Sequence, residues 1–498
     1  MVHHSSRADL SFDQSTVGLL QGETVKLVAR LLALLMLLPL ILSASAYAQQ
    51  FQHVVLIVQE NRTPDNLFYE LCTSPSVCST QPSATQYDIQ TSNWLNKNSK
   101  SGVTQPFPVP LAVSYDPGHD HPAFVAMCDP VSNTGPCRMD GAGNESCSDG
   151  TCPQNFAYGY IPNTSHIIDP YLALATQYGW ANYMFQTNQG PSYPAHQFLF
   201  GATSAPSAID DQQGTFAAEN TPGGMNNSGC AAAPRTTVQL IDANGVEDPN
   251  NTIFPCFEHN TISDIVTQVG FTWRYYAPTA NYIWTAPNSI NHICVPSNQK
   301  CTGTDWTQNV DLVPADVLQD IANCKLRNMS WVIPTGQNSD HPHLNTGGGP
   351  SWVASIVNAI GTSACKDGSK NYWDDTAIII TWDDWGGWYD HESPQFLAHP
   401  QGGYQYGFRV PLIVVSAYTP QGYISNNRQD FGSIARFIEH NFLLKEGYLG
   451  FADARTGTDL LQFFNFKQQP RSFTVIPAAL DANYFLHDKS PPLPPDDD

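Results

Sequence analysis

Two short apolar runs, more than 300 residues apart, each end in a pair of acidic or amide side chains. Residues 53–58 (HVVLIV) lead into Glu60-Asn61, and residues 376–382 (TAIIITW) lead into Asp383-Asp384. Short β-branched runs bounded by chain breakers predict central strands of a parallel sheet. Because ligands of open α/β sheets bind beyond the carboxyl ends of the strands, we expect these polar side chains to meet in one crevice.

The rest of the chain alternates between strand and helix patterns. Helices are predicted at residues 171–178, 261–269, 317–325, 352–360 and 433–444, and further strands at 272–276, 331–333 and 410–416. Residues 69–159 and 205–255 are rich in turn-forming residues and predict long loops. The pattern predicts a three-layer α/β domain with a mostly parallel central sheet, helices on both faces and large loop insertions.

Three carboxylates and an amide oxygen that share one crevice predict a bound cation. Without one, the carboxylates repel and raise each other's pKa. A divalent metal ion is the simplest solution. Oxygen ligands favour a hard cation such as calcium, magnesium or manganese, but zinc also binds carboxylates, so the sequence leaves the identity open.

The composition excludes some partners. The chain has 498 residues, 41% of them hydrophobic, which is enough for a large core. Its 22 Lys and Arg residues against 44 Asp and Glu residues give a net charge of −22. A protein this acidic has no general attraction to nucleic acid or to an anionic membrane surface.

The amino-terminal region predicts export. Residues 31–42 are continuously apolar, basic residues precede them, and a small-x-small pattern ends at Ala48. This predicts a signal peptide at residues 1–48, and a secreted or periplasmic protein without a stable membrane span after cleavage. Because the leader before the apolar run is long, an uncleaved amino-terminal anchor remains an alternative.

Twelve cysteines, an even number, suit an oxidising compartment. Eight of them form four pairs that are close in sequence: Cys72 and Cys78, Cys128 and Cys137, Cys147 and Cys152, and Cys294 and Cys301. Disulfides that close loops are the preferred interpretation. Zinc binding is the alternative, although no Cys-x-x-Cys pair occurs, and the sequence does not determine the connectivity.

One serine and several histidines complete the candidate chemistry. Residues 190–194 (GPSYP) place Ser192 on a constrained turn, where a neighbouring metal would lower the pKa of its hydroxyl. Histidine and aspartate cluster at residues 116–121, 339–343 and 389–391. Each cluster alone is a weak signal, but their concentration beside two acidic strand ends indicates a catalytic site.

These motifs resemble, in the same order, those of the bacterial phospholipase C/acid phosphatase phosphoesterase family. The matching segments are residues 60–68, 116–119, 190–194, 340–342, 381–391 and 408–412. The resemblance runs from about residue 51 to 466 and implies a fold similar to alkaline phosphatases and sulfatases. We expect a catalytic domain at residues 49–466, followed by a carboxyl-terminal extension at 467–498 with a disordered tail.

The resemblance also implies roles for individual residues. The implied metal ligands are Glu60, Asn61, Asp383 and Asp384. Ser192 is the implied nucleophile and forms a phosphoseryl intermediate, while His119 and His341 contact the phosphoryl oxygens or protonate the leaving group. His391 matches a motif position and is assigned to substrate binding, with support of neighbouring groups as its alternative role.

The chain departs from the family after the nucleophile, where many members have Asn-Arg and this chain has Ala195-His196. We expect His196 to bind the substrate anion when it is protonated. Residues 180–183 also lack an acidic residue that the family often has. These departures leave the substrate open between a small phosphate ester and a phospholipid headgroup.

Two other functions compete with the phosphoesterase. Residues 192–196 are similar to the sulfatase pattern of Ser or Cys, x, Pro, x, Arg, but His196 replaces the required arginine. A non-catalytic secreted binding protein on a hydrolase scaffold is the second alternative. It predicts damaged catalytic positions, whereas the main ones are intact.

Overall fold

The computed structural model describes residues 49–74, 76–132, 135–222, 227–395, 406–444, 449 and 458–493. Gln49–Asp498 forms one compact unit. The predicted signal peptide and the last five residues of the tail lie outside the described residues. Within the described ranges, no helix combines the length and hydrophobicity needed to cross a bilayer.

An eight-stranded sheet forms the centre of the unit. Its strands, in chain order, are β1 (His53–Gln59), β2 (Gly179–Phe185), β3 (Trp273–Tyr276), β4 (Val310–Asp311), β5 (Met329–Val332), β6 (Thr376–Trp382), β7 (Leu412–Val415) and β8 (Tyr423–Asp430). They are arranged in the order β4-β3-β5-β1-β6-β7-β2-β8. Seven strands are parallel, and β7 is antiparallel to both of its neighbours. The predicted α/β class with a mostly parallel sheet is confirmed.

Helices cover both faces of the sheet. They are α1 (Pro64–Leu67), α2 (His121–Cys128), α3 (Asp169–Gln177), α4 (Ser192–Gly201), α5 (Ala208–Gln213), α6 (Ile262–Gln268), α7 (Asn291–Cys294), α8 (Thr304–Asn309), α9 (Asp316–Ala322), α10 (Gly349–Gly361), α11 (Phe431–Phe442) and α12 (Ala482–His487). Helices α3, α9, α10 and α12 contact one another as one group, and α4, α6 and α11 form another. Both groups pack on strands of the sheet, which produces the three layers.

The hydrophobic pattern located five of these eight strands and five of these twelve helices. All five predicted helices are present with bounds shifted by a few residues, and the three further predicted strands correspond to β3, β5 and β7. The pattern missed the two-residue strand β4, as well as β2, which reads GWANYMF, and β8, which reads YISNNRQD. Neither β2 nor β8 contains a β-branched run, so the pattern did not predict a strand. β8 is a polar strand at the edge of the sheet, and β2 is a strand because it pairs with its neighbours in the fold.

The long connections between these elements contain further strands of two to seven residues. These short strands are Trp94–Leu95, Val103–Thr104, Phe107–Pro108, Asp116–Pro117, Cys147–Asp149, Gly159–Tyr160, Phe216–Ala217, Val238–Ile241, Glu247–Ile253, Pro296–Ser297, Lys300–Cys301, Lys366–Asp367 and Lys370–Asn371. Turns of 3₁₀ helix occur at Tyr69–Leu71, Ala142–Asn144, Phe156–Tyr158, Asn163–Ser165, Ala286–Ser289, Gly336–Asn338, Trp373–Asp375 and Leu461–Phe463.

Six disulfides close these connections, and no cysteine is free. The four pairs that are close in sequence are each bonded. Cys230–Cys256 and Cys324–Cys365 close the longer loops, of 26 and 41 residues. The prediction of loop-closing disulfides is confirmed, and the alternative of a cysteine zinc site is wrong because every thiol is bonded.

Candidate active site

The two acidic pairs lie side by side because β1 and β6 are neighbouring parallel strands. Gln59 is opposite Trp382 in the register, so both chains leave the sheet at the same level. The backbone amide of Asp383 donates to the carbonyl of Gln59 at 3.0 Å, and the amide of Arg62 donates to the carbonyl of Asp384 at 3.0 Å. The sheet therefore holds the two turns together through their main chains.

A close approach of backbones shapes the turn after β6. Gly386 has a φ of +59°, and a Cβ there would lie 2.4 Å from the Cβ of Asn61. Asn61 itself has a φ of +61°. Glycine has no Cβ and so avoids the close contact at residue 386. Asparagine is among the residues that tolerate a positive φ, as Asn61 has. Gly386 thus permits the acidic turn to pack directly on Asn61.

Asp383 presents one carboxylate oxygen to the backbone and the other to the site. Its Oδ1 accepts from the amides of Asn61 at 3.1 Å and Asp384 at 2.8 Å. On the other side, its Oδ2 lies 3.6 Å from Nε2 of His196, and that nitrogen lies 3.3 Å from Oε1 of Glu60. All three side chains are fully buried. We call Glu60, Asp383, Asp384 and His196 the acidic site cluster.

Ser192 is the first residue of α4. Its hydroxyl donates to Oδ2 of Asp384 at 3.2 Å. The sequence predicted a constrained turn here, and the structure shows that the turn at Pro191 starts a helix. Partial positive charge at a helix amino terminus favours the ionised form of a hydroxyl. Asn220 accepts from the amide of Tyr193 at 2.9 Å and anchors this end of the helix.

His119 contacts Asn61. Its Nδ1 donates to the carbonyl of Pro117 at 2.9 Å, and its Nε2 lies 3.0 Å from Nδ2 of Asn61. If the amide group donates to this nitrogen, the amide oxygen Oδ1 points away from the ring. His119 therefore orients the predicted ligand Asn61, and its predicted contact with a phosphoryl oxygen stays a prediction.

His341 and Trp284 line the same site as His119 and His196. The ring centroids of His119 and His341 are 5.9 Å apart, and Trp284 lies 5.8 Å from His341 and 6.3 Å from His196. Nδ1 of His341 donates to the carbonyl of Pro342 at 2.6 Å. A neutral His341 thus presents an acceptor at Nε2, and it can supply a proton only when both nitrogens are protonated. Trp284 carries no motif and was missed by the sequence analysis.

Burial decides the protonation of His196. The residue is 1% exposed, and burial lowers the pKa of its ring to about 4 although Asp383 acts in the opposite direction. The ring is therefore neutral near pH 7. Its predicted role in binding an anion requires the protonated form, which this environment disfavours.

His391 belongs to a second buried group of charges. Its Nδ1 lies 2.8 Å from Oδ2 of Asp65, and its Nε2 lies 3.1 Å from Oδ1 of Asp88. Arg409 binds Asp390 through Nε at 2.8 Å and Nη2 at 3.0 Å, and Nη1 contacts Asp88 at 3.2 Å. We call these five residues the ion-pair network. Its contacts are those of a support for neighbouring loops, and the predicted substrate contact of His391 stays a prediction.

The donor set fits a divalent cation. Oδ2 of Asp383, Oδ1 of Asn61 and both ring nitrogens of His196 are buried and have no hydrogen-bond partner among the described residues. Glu60, His196 and Asp383 each place one potential ligand atom within 4.8 Å of the others. Leaving such groups unsatisfied in the protein interior is costly, and their donor chemistry is compatible with a bound cation.

The chain belongs to the Phosphoesterase family, whose model matches residues 51–445. It is similar to the non-hemolytic phospholipase C of Burkholderia pseudomallei, with 28% identity over 227 residues, covering 39% of this chain and 31% of that protein. The hemolytic phospholipase C of Pseudomonas aeruginosa is 21% identical over 470 residues, covering 84% and 56%. The chain thus spans about a third to just over half of these relatives.

Among solved structures, one match is a protein in the alkaline phosphatase superfamily from Vibrio parahaemolyticus. It has a TM-score of 0.33 and 11% sequence identity, and the match covers 71% of this chain and 69% of that chain. The lipoteichoic acid synthase LtaP from Listeria monocytogenes matches with a TM-score of 0.32.

Proposed function

We propose that this protein is an exported, metal-dependent phosphoric ester hydrolase with Ser192 as its nucleophile. The observation that carries the proposal is the hydrogen bond of 3.2 Å from the Ser192 hydroxyl to Asp384, at a helix amino terminus beside the acidic site cluster. Family membership and the phospholipase C relatives support the same reaction class.

The proposed metal ligands are Glu60, Asn61, Asp383 and Asp384. A bound divalent cation supplies charge for the phosphoryl oxygens and lowers the pKa of the attacking hydroxyl. The donor atoms are of the right chemistry, since carboxylate and amide oxygens bind the divalent ions used in phosphoryl transfer.

The proposed reaction has two steps, each carried out by named side chains of this protein. The oxygen of Ser192 attacks phosphorus, its proton is held by Asp384, and the alcohol of the substrate leaves with a proton from a protonated histidine. His341 is our candidate for this acid, because its ring lies in the site and Nε2 is the nitrogen that Pro342 does not occupy. Water then attacks the phosphorus of the phosphoseryl ester and gives a proton to the neutral His341, while the oxygen of Ser192 leaves and takes back the proton held by Asp384. This releases phosphate or a phosphorylated headgroup and restores the hydroxyl.

The proposed substrates are a small phosphate ester or the phosphorylated headgroup of a phospholipid, corresponding to an acid phosphatase or a phospholipase C. The phospholipase C relatives support the second. Six disulfides support an extracellular or periplasmic location, because such bonds persist in oxidising compartments.

Hydrolysis of chromogenic phosphate esters tests the proposal. We expect Ser192→Ala to lower kcat/KM by about a thousandfold or more, since the variant lacks the nucleophile. Ser355→Ala is the matched control, because its buried hydroxyl lies on α10 and donates to the carbonyl of Trp352. Equal rates for wild type and Ser192→Ala would remove Ser192 from this role. A phosphate monoester and a phosphocholine diester, compared in parallel, separate the two substrate classes.

A further inference from the structure

Helix α4 brings a second functional side chain into the site. His196 follows Ser192 by four residues, and residues at this spacing share one face of a helix. The helix that presents the serine to Asp384 therefore also turns an imidazole toward Glu60 and Asp383. From the sequence, we expected His196 to bind the substrate anion, because many members of the family have arginine at this position.

The distances suit a shared ion better than direct hydrogen bonds. Nε2 of His196 lies 3.3 Å from Oε1 of Glu60 and 3.6 Å from Oδ2 of Asp383. Neither contact makes a hydrogen bond, and neither ring nitrogen has another partner within the described chain. Two ligands at about 2.1 Å from one tetrahedral ion are about 3.4 Å apart. The observed spacing is that of ligands around a common centre.

The surroundings fix the orientation of these groups. Oδ1 of Asp383 is held by two backbone amides, which leaves Oδ2 on the side of His196. Trp284 lies nearly parallel to the imidazole, at 6.3 Å between ring centroids and 25° between planes. Asp383 thus presents a fixed oxygen toward the imidazole, and a carboxylate held in this way by its other oxygen is characteristic of metal sites.

We propose that His196 is a nitrogen ligand of the metal, together with Glu60 and Asp383, and that this set selects zinc or a similar transition-metal ion over calcium and magnesium. Imidazole suits zinc-class ions, whereas calcium and magnesium take oxygen ligands almost exclusively. The inference rests on the proposed function, because it names the ion that the hydrolase uses.

Metal binding and spectroscopy test the inference without relying on turnover. Zinc and calcium affinities are measured by calorimetry on the stripped protein and on His196→Gln. We expect the variant to bind zinc at least about tenfold more weakly, with a change of less than about threefold for calcium. His259→Gln is the control, because this buried histidine bonds to the carbonyl of Asn260. Unchanged zinc affinity in a folded His196→Gln would overturn the assignment.

A measurement on the wild type covers the case in which the variant does not fold. Copper(II) is bound to the stripped protein, and electron spin echo spectroscopy detects a directly ligated imidazole. Nitrogen coupling supports the assignment, and its absence contradicts it. If the protein instead binds no divalent ion and hydrolyses no ester, the proposed function fails as well. If hydrolysis requires metal and Ser192 but the nitrogen signal is absent, the inference alone fails.

Discussion

The loops around the ends of β1 and β6 contribute to two buried groups of carboxylates that differ in how their charge is balanced. The acidic site cluster has three carboxylates and the neutral ring of His196, and Asp383 forms no ion pair with Lys or Arg among the described residues. The ion-pair network also has three carboxylates, but Arg409 and His391 bind them. Both groups are buried to a similar extent, so they differ in whether cationic side chains pair with their carboxylates.

The difference assigns the two groups to different tasks. In the ion-pair network, every carboxylate has a cationic partner, so the group stabilises the fold by itself. In the acidic site cluster, the buried Oδ2 of Asp383 and both ring nitrogens of His196 lack hydrogen-bond partners among the described residues. Such a group is expensive in the folded protein unless a cation joins it, so its presence indicates function.

The largest effect is expected when the ion-pair network loses its arginine. Arg409→Met leaves three buried carboxylates with one cationic partner, and we expect the free energy of unfolding to fall by about 3–5 kcal/mol. Urea denaturation measures the change. Arg138→Met is the control, because its half-exposed ion pair with Asp129 contributes at most about 1 kcal/mol. Equal losses in the two variants would contradict the distinction between structural and exposed pairs.

A smaller effect concerns the charge on His391. Burial acts to lower its pKa, but Asp65 and Asp88 outweigh burial and Arg409, and the pKa rises to about 10. The folded pKa exceeds the unfolded value of about 6.5, so the stabilisation is complete below about pH 6.5 and is lost as the pH rises toward 10. Asp390, whose pKa burial raises to about 6, belongs to the same network.

Urea denaturation of wild type and His391→Asn at several pH values measures this linkage. We expect the stability difference between them to shrink by about 2–3 kcal/mol from pH 6.5 to pH 9. His166→Asn is the control, since its ion pair with Asp169 is largely exposed. A difference that does not vary with pH would show that His391 is uncharged in the folded protein.

The smallest effect has opposite signs in the two groups. Asp383→Asn keeps the oxygen that accepts from two backbone amides but removes a buried charge that forms no ion pair with Lys or Arg among the described residues, so we expect the metal-free protein to gain about 1 kcal/mol. Asp88→Asn removes a partner of Arg409 and His391, and we expect a loss of about 1–3 kcal/mol. Denaturation in the presence of a chelator measures both, and losses of equal size would contradict the comparison.

The sequence predicted the two strand ends that form the site better than the side chains that helices and loops bring to it. The apolar runs that end in Glu60-Asn61 and Asp383-Asp384 were sufficient to predict that these two pairs lie together. The two runs form neighbouring parallel strands in register, so their carboxyl ends lie side by side. The position of Ser192 at a helix start, the direction of His196 and the contact of Trp284 depend on helix docking and long loops. No local sequence pattern predicts these contacts, so only the folded structure identifies them.

Metal content tests the central claim most directly. The purified protein is stripped, dialysed against a divalent metal and analysed by mass spectrometry, together with Asp383→Asn and Asp88→Asn. We predict that the wild type and Asp88→Asn retain a bound ion and that Asp383→Asn loses it. Retention of the same ion content in all three proteins, or its absence from the wild type, would contradict a cation site at the ends of β1 and β6.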